Sequence, residues 1–386
     1  MLNSNWFNRH PLLISGSLFV VLFVITDLVL GRVTIMRSER MFHPYFHHTF
    51  ARNATFTEVW GDQKYVIHTN SLGFKDERIR NVPLEAEPGK TRVVLLGDSF
   101  TEGIGLPYEQ TLAGLVQRRL GTERFEILNA GIASYSPRAY YLKMRYLLEQ
   151  EGLRLHHLVV FVDISDVRDE IAYKGFQPQP RSSVSREADF FLKNHSFAYV
   201  NLRPRLRQWY EQAQIIRTYG RHQPRTAPDA AADASQPLDV NRFLDGRDAE
   251  RSRWTFDDNV FEKWGRAGVA LAVSNMAQLV DLCKRRRIAL TIAVYPWPDQ
   301  ILRHDLESRQ VSVWRAFAAE HGVGFINYFP DFIGDGDAVA TVRALFIKGD
   351  SHWNTAGHRV IADRLETVIR ERDATAIGAG AEGPPQ

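Results

Sequence analysis

The chain has 386 residues, 44% of them hydrophobic and 24% charged, with a formal net charge of +3. That composition is globular, and the length suits one large α/β domain with additions or two small domains. The near balance of charge, without a long basic run, gives no reason to invoke nucleic acid. A single cysteine, Cys283, excludes an intramolecular disulfide and a cysteine-cluster metal site. It lies in a helical stretch and reads as a buried, inert thiol.

Residues 11–30 (PLLISGSLFVVLFVITDLVL) form an apolar run broken only by small or hydroxyl residues and by Asp27. Twenty helical residues reach roughly 30 Å, the thickness of a bilayer core. The run predicts a single membrane anchor over 1–31, with Asp27 near its end, in reach of interfacial water. A cleaved signal peptide is the competing reading, but its apolar region is shorter and no small-x-small cleavage site follows Leu30. Arg9 precedes the span, whereas Arg32, Arg37 and Arg40 follow it. The positive-inside rule alone would keep the rest cytoplasmic, yet long downstream domains translocate regardless of local charge. An extracytoplasmic (periplasmic) domain is the expectation, with orientation left open.

Residues 32–90 read as an irregular, aromatic-rich lead-in packing on the domain, with room for a short hairpin around 64–68. His43, His47 and His48 in HPYFHH invite a metal, but no carboxylate set accompanies them. Phe42, Tyr45, Phe46 and Phe50 fit an interfacial belt or core packing. Asn70-Ser71-Leu72-Gly73-Phe74 is a turn by composition.

From residue 91 the pattern becomes regular. Continuous apolar runs at 92–96, 125–128, 158–162, 289–294 and 323–326 predict five strands buried on both faces. Helices are expected between and after them. One opens at Ser136-Pro137, an N-cap followed by proline, and ends at Gly152. Others cover 265–287, 306–321 and 355–372. This alternation predicts a three-layer α/β/α sandwich around a five-stranded parallel sheet, spanning 91–372. An insertion at 170–262 interrupts it; within that, 222–237 (HQPRTAPDAAADASQP) is too polar to fold. The tail, 373–386, is expected to be disordered.

The first strand runs into Gly97-Asp98-Ser99-Phe100-Thr101-Glu102-Gly103. A serine at the carboxyl end of such a strand stands where open α/β sheets bind ligands, beside helix N–H groups that suit an oxyanion. An ordinary N-cap serine is the plain alternative. The spacing fits neither a dinucleotide fingerprint nor a P-loop. A serine needs a base to become a nucleophile. Gly349-Asp350-Ser351-His352-Trp353-Asn354 offers an imidazole and a carboxylate two residues apart, just before the last helix. His352 is the candidate base and Asp350 its orienter, or else an ordinary loop aspartate. His358, inside that helix, reads as structural.

These segments, in this order, resemble the SGNH/GDSL hydrolases over roughly residues 92–370. Gly97-Asp98-Ser99-Phe100 matches the family's first block, which supplies the nucleophile. Asn129-Ala130-Gly131 resembles the second, whose glycine donates a backbone N–H to the oxyanion hole. Asp163-Ile164-Ser165-Asp166 stands where the family has Gly-x-Asn-Asp, so Ser165 replaces the asparagine that completes the hole. Asp350-Ser351-His352 resembles the last block with a spacing one residue tighter than the common Asp-x-x-His. The resemblance implies a flavodoxin-like SGNH fold and a serine esterase, with Ser99, His352 and Asp350 catalytic. The oxyanion hole falls to Ser99, Gly131 and Ser165. Its substrate is an ester, with O-acetyl groups on a cell-surface glycan as one candidate. An O-acyltransferase acting on a polysaccharide, or a non-catalytic glycan- or partner-binding module, are the alternatives. No metal or cofactor is expected. Tyr295-Pro296-Trp297-Pro298 follows the fourth strand on the Ser99 side; Trp297 either lines a substrate groove or fills the loop.

Overall fold

The structure is a computed structural model that describes residues 10–34, 39–178, 184, 188, 191–192, 195–202 and 247–381. The chain divides into two units, residues 1–38 with 181–234, and residues 39–180 with 235–386. Most of the expected insertion, including 222–237, lies outside the described residues.

In the first unit, helix α1 (Pro11–Thr34) includes a stretch, Pro11–Val33, long and apolar enough to cross a membrane. The Asp27 carboxylate, expected to meet interfacial water, instead accepts the Ala198 N–H at 2.6 Å. Gly31 lets the backbone at His195 approach; a Cβ there would lie 2.0 Å from the His195 carbonyl oxygen.

In the second unit the five expected strands all form: β6 (Thr91–Leu96), β7 (Phe125–Asn129), β8 (His157–Val162), β9 (Ala289–Val294) and β10 (Gly324–Asn327). They pair in parallel in the order β7-β6-β8-β9-β10, which is the flavodoxin-like order. The step from β6 to β7 runs in one direction along the sheet, and all later steps run in the other. Right-handed crossovers therefore put helix α3 (Leu112–Leu120) on one face. Helices α4 (Pro137–Arg145), α6 (Arg266–Arg286) and α8 (Arg309–His321) fall on the opposite face. The last helix, α10 (Thr355–Ala381), packs beside α3. Every residue of β8 is buried, as a strand covered on both faces requires.

The sheet is larger than five strands. Among the described residues it has eight, because the lead-in adds three antiparallel ones beyond β7. These are β3 (Thr55–Trp60), β4 (Gln63–Thr69) and β5 (Lys75–Asp76), while β1 (Arg40–His43) and β2 (His47–Phe50) form a separate hairpin. Alternation of one buried and one exposed face marks β4, a pattern weaker in sequence than the continuous runs of the parallel strands. The lead-in is anchored by Asn70, whose side-chain carbonyl accepts the N–H groups of Leu72 and Phe74 and whose amide donates to Asp76. Gly73 takes φ +72° there, and a Cβ would press on the Phe50 carbonyl at 2.8 Å.

Two further boundaries and one capping contact differ from expectation. The stretch assigned to the insertion ends inside the core: Trp254 is fully buried and its indole N–H donates to the Ile164 carbonyl. Ser136 stands at the N-cap of α4, but its hydroxyl donates to buried Glu170 rather than capping the helix. Helix α10 runs past Arg372 to Ala381, through a stretch in which four alanines offset the low helix propensity of Gly378 and Gly380; residues 382–386 lie outside the described residues. Gly152 does close the helical stretch begun by α4, after a π-helical turn, at φ +82°. Cys283 is buried, and burial pushes its thiol up to about 12.

Candidate active site

The serine turn is built from buried parts. Strand β6 ends at Leu96, and Gly97 lets the chain turn where a Cβ would lie 2.0 Å from Thr101 Oγ1. Asp98 caps a single helical turn, α2 (Ser99–Glu102), by accepting the Phe100 N–H at 2.9 Å; Gly103 ends it at φ +73°. So short a helix has little macrodipole, and what it offers Ser99 is its own free N–H groups. Glu102, fully buried, accepts two hydrogen bonds from Arg40 and one from the Ala133 N–H. Burial would raise its carboxyl, but the Arg40 charge holds it below the usual range.

The histidine loop is built differently. It is closed by an isolated bridge between Phe346 and Trp353 and by the Ile347 N–H donating to the His352 carbonyl. Asn354 then caps α10, its side-chain oxygen accepting the N–H groups of Ala356 and Gly357. His358 accepts the Leu112 N–H and packs edge-on against Trp353, the structural place expected for it.

The two segments meet. His352 Nε2 lies 2.8 Å from Ser99 Oγ, and its Nδ1 is bonded to Asp350 Oδ1. The same carboxylate oxygen accepts the His352 backbone N–H at 2.8 Å. The tight Asp-x-His spacing therefore closes as a local turn, one oxygen meeting both the backbone and the ring of His352. Burial works to depress the imidazolium, but the Asp350 hydrogen bond and charge, with Asp98 and Asp163, outweigh it and raise the His352 pKa. Burial likewise pushes Asp350 up, and the His352 interactions bring it below its ordinary value.

The remaining expected residues are placed less simply. The Gly131 N–H donates to the side-chain oxygen of Asn129 at 3.1 Å, and a Cβ on Gly131 would meet the Glu102 nitrogen at 2.6 Å. Glycine is needed there for the turn after β7 to lie against α2. The hydroxyl and N–H of Ser165 both go to Asp163 Oδ1, at 2.5 and 2.7 Å. Trp297 is 4% exposed, stacks on Phe100 and donates to Asp163 Oδ2. Of the two readings of Trp297, burial supports the packing one. The histidines of the lead-in are likewise tied up within the protein: His48 bonds the Ala133 carbonyl, His47 meets His48, and His43 stacks on Phe46. Burial lowers both His43 and His48 to about 3.

Two features escaped the sequence reading. Beneath Ser99, Asp98, Asp163 and Asp166 form a buried cluster, the one group of three potential metal ligands among the described residues. Asp98 Oδ2 also lies 3.1 Å from Ser99 Oγ and Asp98 Oδ1 accepts from Tyr295, while Asp166 accepts from Tyr140 and the Asp163 N–H. Burial, with Asp163 nearby, holds the Asp98 carboxyl well above the usual range, and burial with Asp98 does the same for Asp166. With Tyr, Trp, Ser and backbone donors on these oxygens, Asp166 Oδ1 excepted, they read as a polar floor under the serine turn. All three aspartates lie in the quoted motifs, which was the available signal. The second feature is Trp60, whose indole N–H donates to Asp350 Oδ2 at 3.0 Å; nothing in its local sequence marks it.

No protein-family model matches the chain. It is 29% identical over 145 residues to a probable alginate O-acetylase, AlgJ, of Pseudomonas aeruginosa, which is 35% of this chain and 36% of that protein. Solved structures similar to it include a GDSL-like lipase from Bacteroides thetaiotaomicron (11% identity, TM-score 0.37, covering 75% of this chain and 93% of that one). Others are the esterase EstA from Pseudoalteromonas sp. (12%, 0.38, 73% and 98%) and a lipase/acylhydrolase from Enterococcus faecalis (14%, 0.37, 73% and 96%). The chain thus matches about a third of the length of its curated relative. A mixed α/β sheet in flavodoxin-like order, with helices on both sides, is the architecture that its resemblance to the SGNH/GDSL hydrolases implies.

Proposed function

We propose that the protein is a serine acyl-transfer enzyme in which Ser99 is the nucleophile, His352 the general base and Asp350 its orienter. The observation that carries this is the hydrogen-bonded line from Ser99 Oγ through the His352 ring to Asp350. His352 Nε2 takes the hydroxyl proton as Ser99 Oγ attacks an ester carbonyl, giving a tetrahedral oxyanion. Collapse breaks the ester bond; the leaving alkoxide receives the proton from His352 and the acyl group stays on Ser99. The same base then activates a second hydroxyl, which releases the acyl group. The oxyanion is met by the Ser99 N–H and by the Gly131 N–H shared with Asn129. Ser165 is spoken for by Asp163, and loss of one donor of this kind costs about 10²–10³ in rate.

The substrate class we infer is an O-acyl ester on a cell-surface glycan. If water is the second acceptor the enzyme is an esterase. Similarity to a probable alginate O-acetylase favours the second reading, in which a sugar hydroxyl accepts the acyl group. Residues 11–33 then serve as a single-pass anchor, holding the domain on the periplasmic side where such glycans lie. The test is labelling of the full-length protein by a fluorophosphonate probe, with the adduct located by mass spectrometry. Acetate release is then compared with acetyl transfer to an oligosaccharide. A folded wild-type protein that the probe leaves unmodified would overturn the serine mechanism.

A further inference from the structure

We propose that Trp60 is a positioning residue of the same site: its indole N–H fixes the Asp350 carboxylate in the orientation that faces His352. This rests on the acyl-transfer reading given above. Asp350 Oδ1 takes both donors of its own turn, the His352 backbone N–H and the ring. A carboxylate in a loop, its side chain 23% exposed, can still rotate its second oxygen toward water. The contact that prevents this comes from residue 60, at the end of β3, 290 positions away in sequence. Indole nitrogen is a donor only, so it stabilises the ionised carboxylate and cannot compete with His352 as a base. The same ring stands edge-on to His352, with centroids 5.3 Å apart and planes at 89°. Trp60 Cδ1, the ring carbon bonded to the indole nitrogen, lies near Gly105, just beyond the serine turn, where a Cβ would sit 3.6 Å from it. The lead-in therefore reaches both halves of the site through one side chain.

Trp60→Phe keeps the ring and removes the donor. The experiment uses the detergent-solubilised full-length chain as wild type, W60F, D350N and the double variant, with Val59→Ala as a neighbouring control. One readout is the titration of His352 by NMR of isotope-labelled histidine, which needs no turnover. The other is the rate of fluorophosphonate labelling at Ser99. W60F is expected to lower the His352 pKa, because a rotating carboxylate stabilises the imidazolium less. It should slow labelling about tenfold, the size of one lost hydrogen bond to a charged group. In the D350N background the same substitution should cost less than about twofold, since two residues acting through one contact are not additive. A His352 titration that stays put or rises in W60F, or a full tenfold loss in the D350N background, would overturn the proposal. Should wild type resist the probe while W60F still lowers the His352 pKa, the positioning role stands and the acyl-transfer reading falls.

Discussion

The serine turn and the histidine loop face each other across 2.8 Å, yet they are held by different means. Around Ser99 the restraint is buried and many-sided: Gly97, Asp98, Phe100 and Glu102 fix the backbone between a central strand and its own helical turn, with Arg40 and Tyr295 bonded to the two carboxylates. Around His352 it is partly exposed and rests on few contacts: a single bridge and a helix cap close by in sequence, and one distant indole from the lead-in. Positioning by packing resists substitution of any one hydrogen bond. Positioning by single contacts does not. The two halves should therefore respond to mutation in different currencies, the serine turn in stability and the histidine loop in rate and pH dependence.

Ser99→Ala removes the oxygen proposed as nucleophile and gives the largest expected effect. Turnover should fall by about 10⁶, with covalent labelling lost, as for nucleophiles of this kind. Labelling that persists on another serine would place the chemistry outside this turn. Asp350→Asn comes next, at about 10⁴ in kcat/KM with the fold intact. It also tests the sign of the pH effect. As the proposed base His352 works when neutral, and its raised pKa puts the acid limb of wild-type activity at higher pH than an ordinary histidine would. Without the Asp350 charge, burial dominates and the limb should move to lower pH; a limb that stays in place would dissolve the proposed pair.

The smaller effects separate the two halves. Gly97→Ala forces a methyl group against Thr101 and toward the Phe161 carbonyl, and should cost about 1–3 kcal/mol in urea unfolding. Asn354→Ala leaves two N–H groups of α10 without their acceptor and should cost about 1 kcal/mol. Rate per folded molecule should fall more in Asn354→Ala than its stability loss suggests, because the cap adjoins His352. Equal and small rate changes in the two variants would erase the contrast between them.

Several elements were legible because their causes are local. Continuous apolar runs gave all five parallel strands to within a residue; four of them are covered on both faces and so do not alternate, while β10 is a half-buried edge strand. Ser99, His352 and Asp350 could be singled out because a strand-to-turn exit and a histidine loop before a helix leave short marks. The strands β3–β5 were harder to see. Their half-exposed alternation is faint, and whether a hairpin joins a sheet depends on the partner edge, which lies at β7.

The sequence by itself determined the parallel core, the apolar N-terminal helix and the residue types that meet at the site. Those follow from periodicity and turn chemistry within a few neighbours of each residue. Tertiary structure alone decided which groups serve which partner. It sent the Ser165 hydroxyl to Asp163, the Gly131 N–H to Asn129, and Trp297 into the core. It also brought Trp60 to Asp350. A hydrogen bond is settled by which donor arrives within about 3 Å of an acceptor. For residues separated by hundreds of positions, only the closed fold sets that distance.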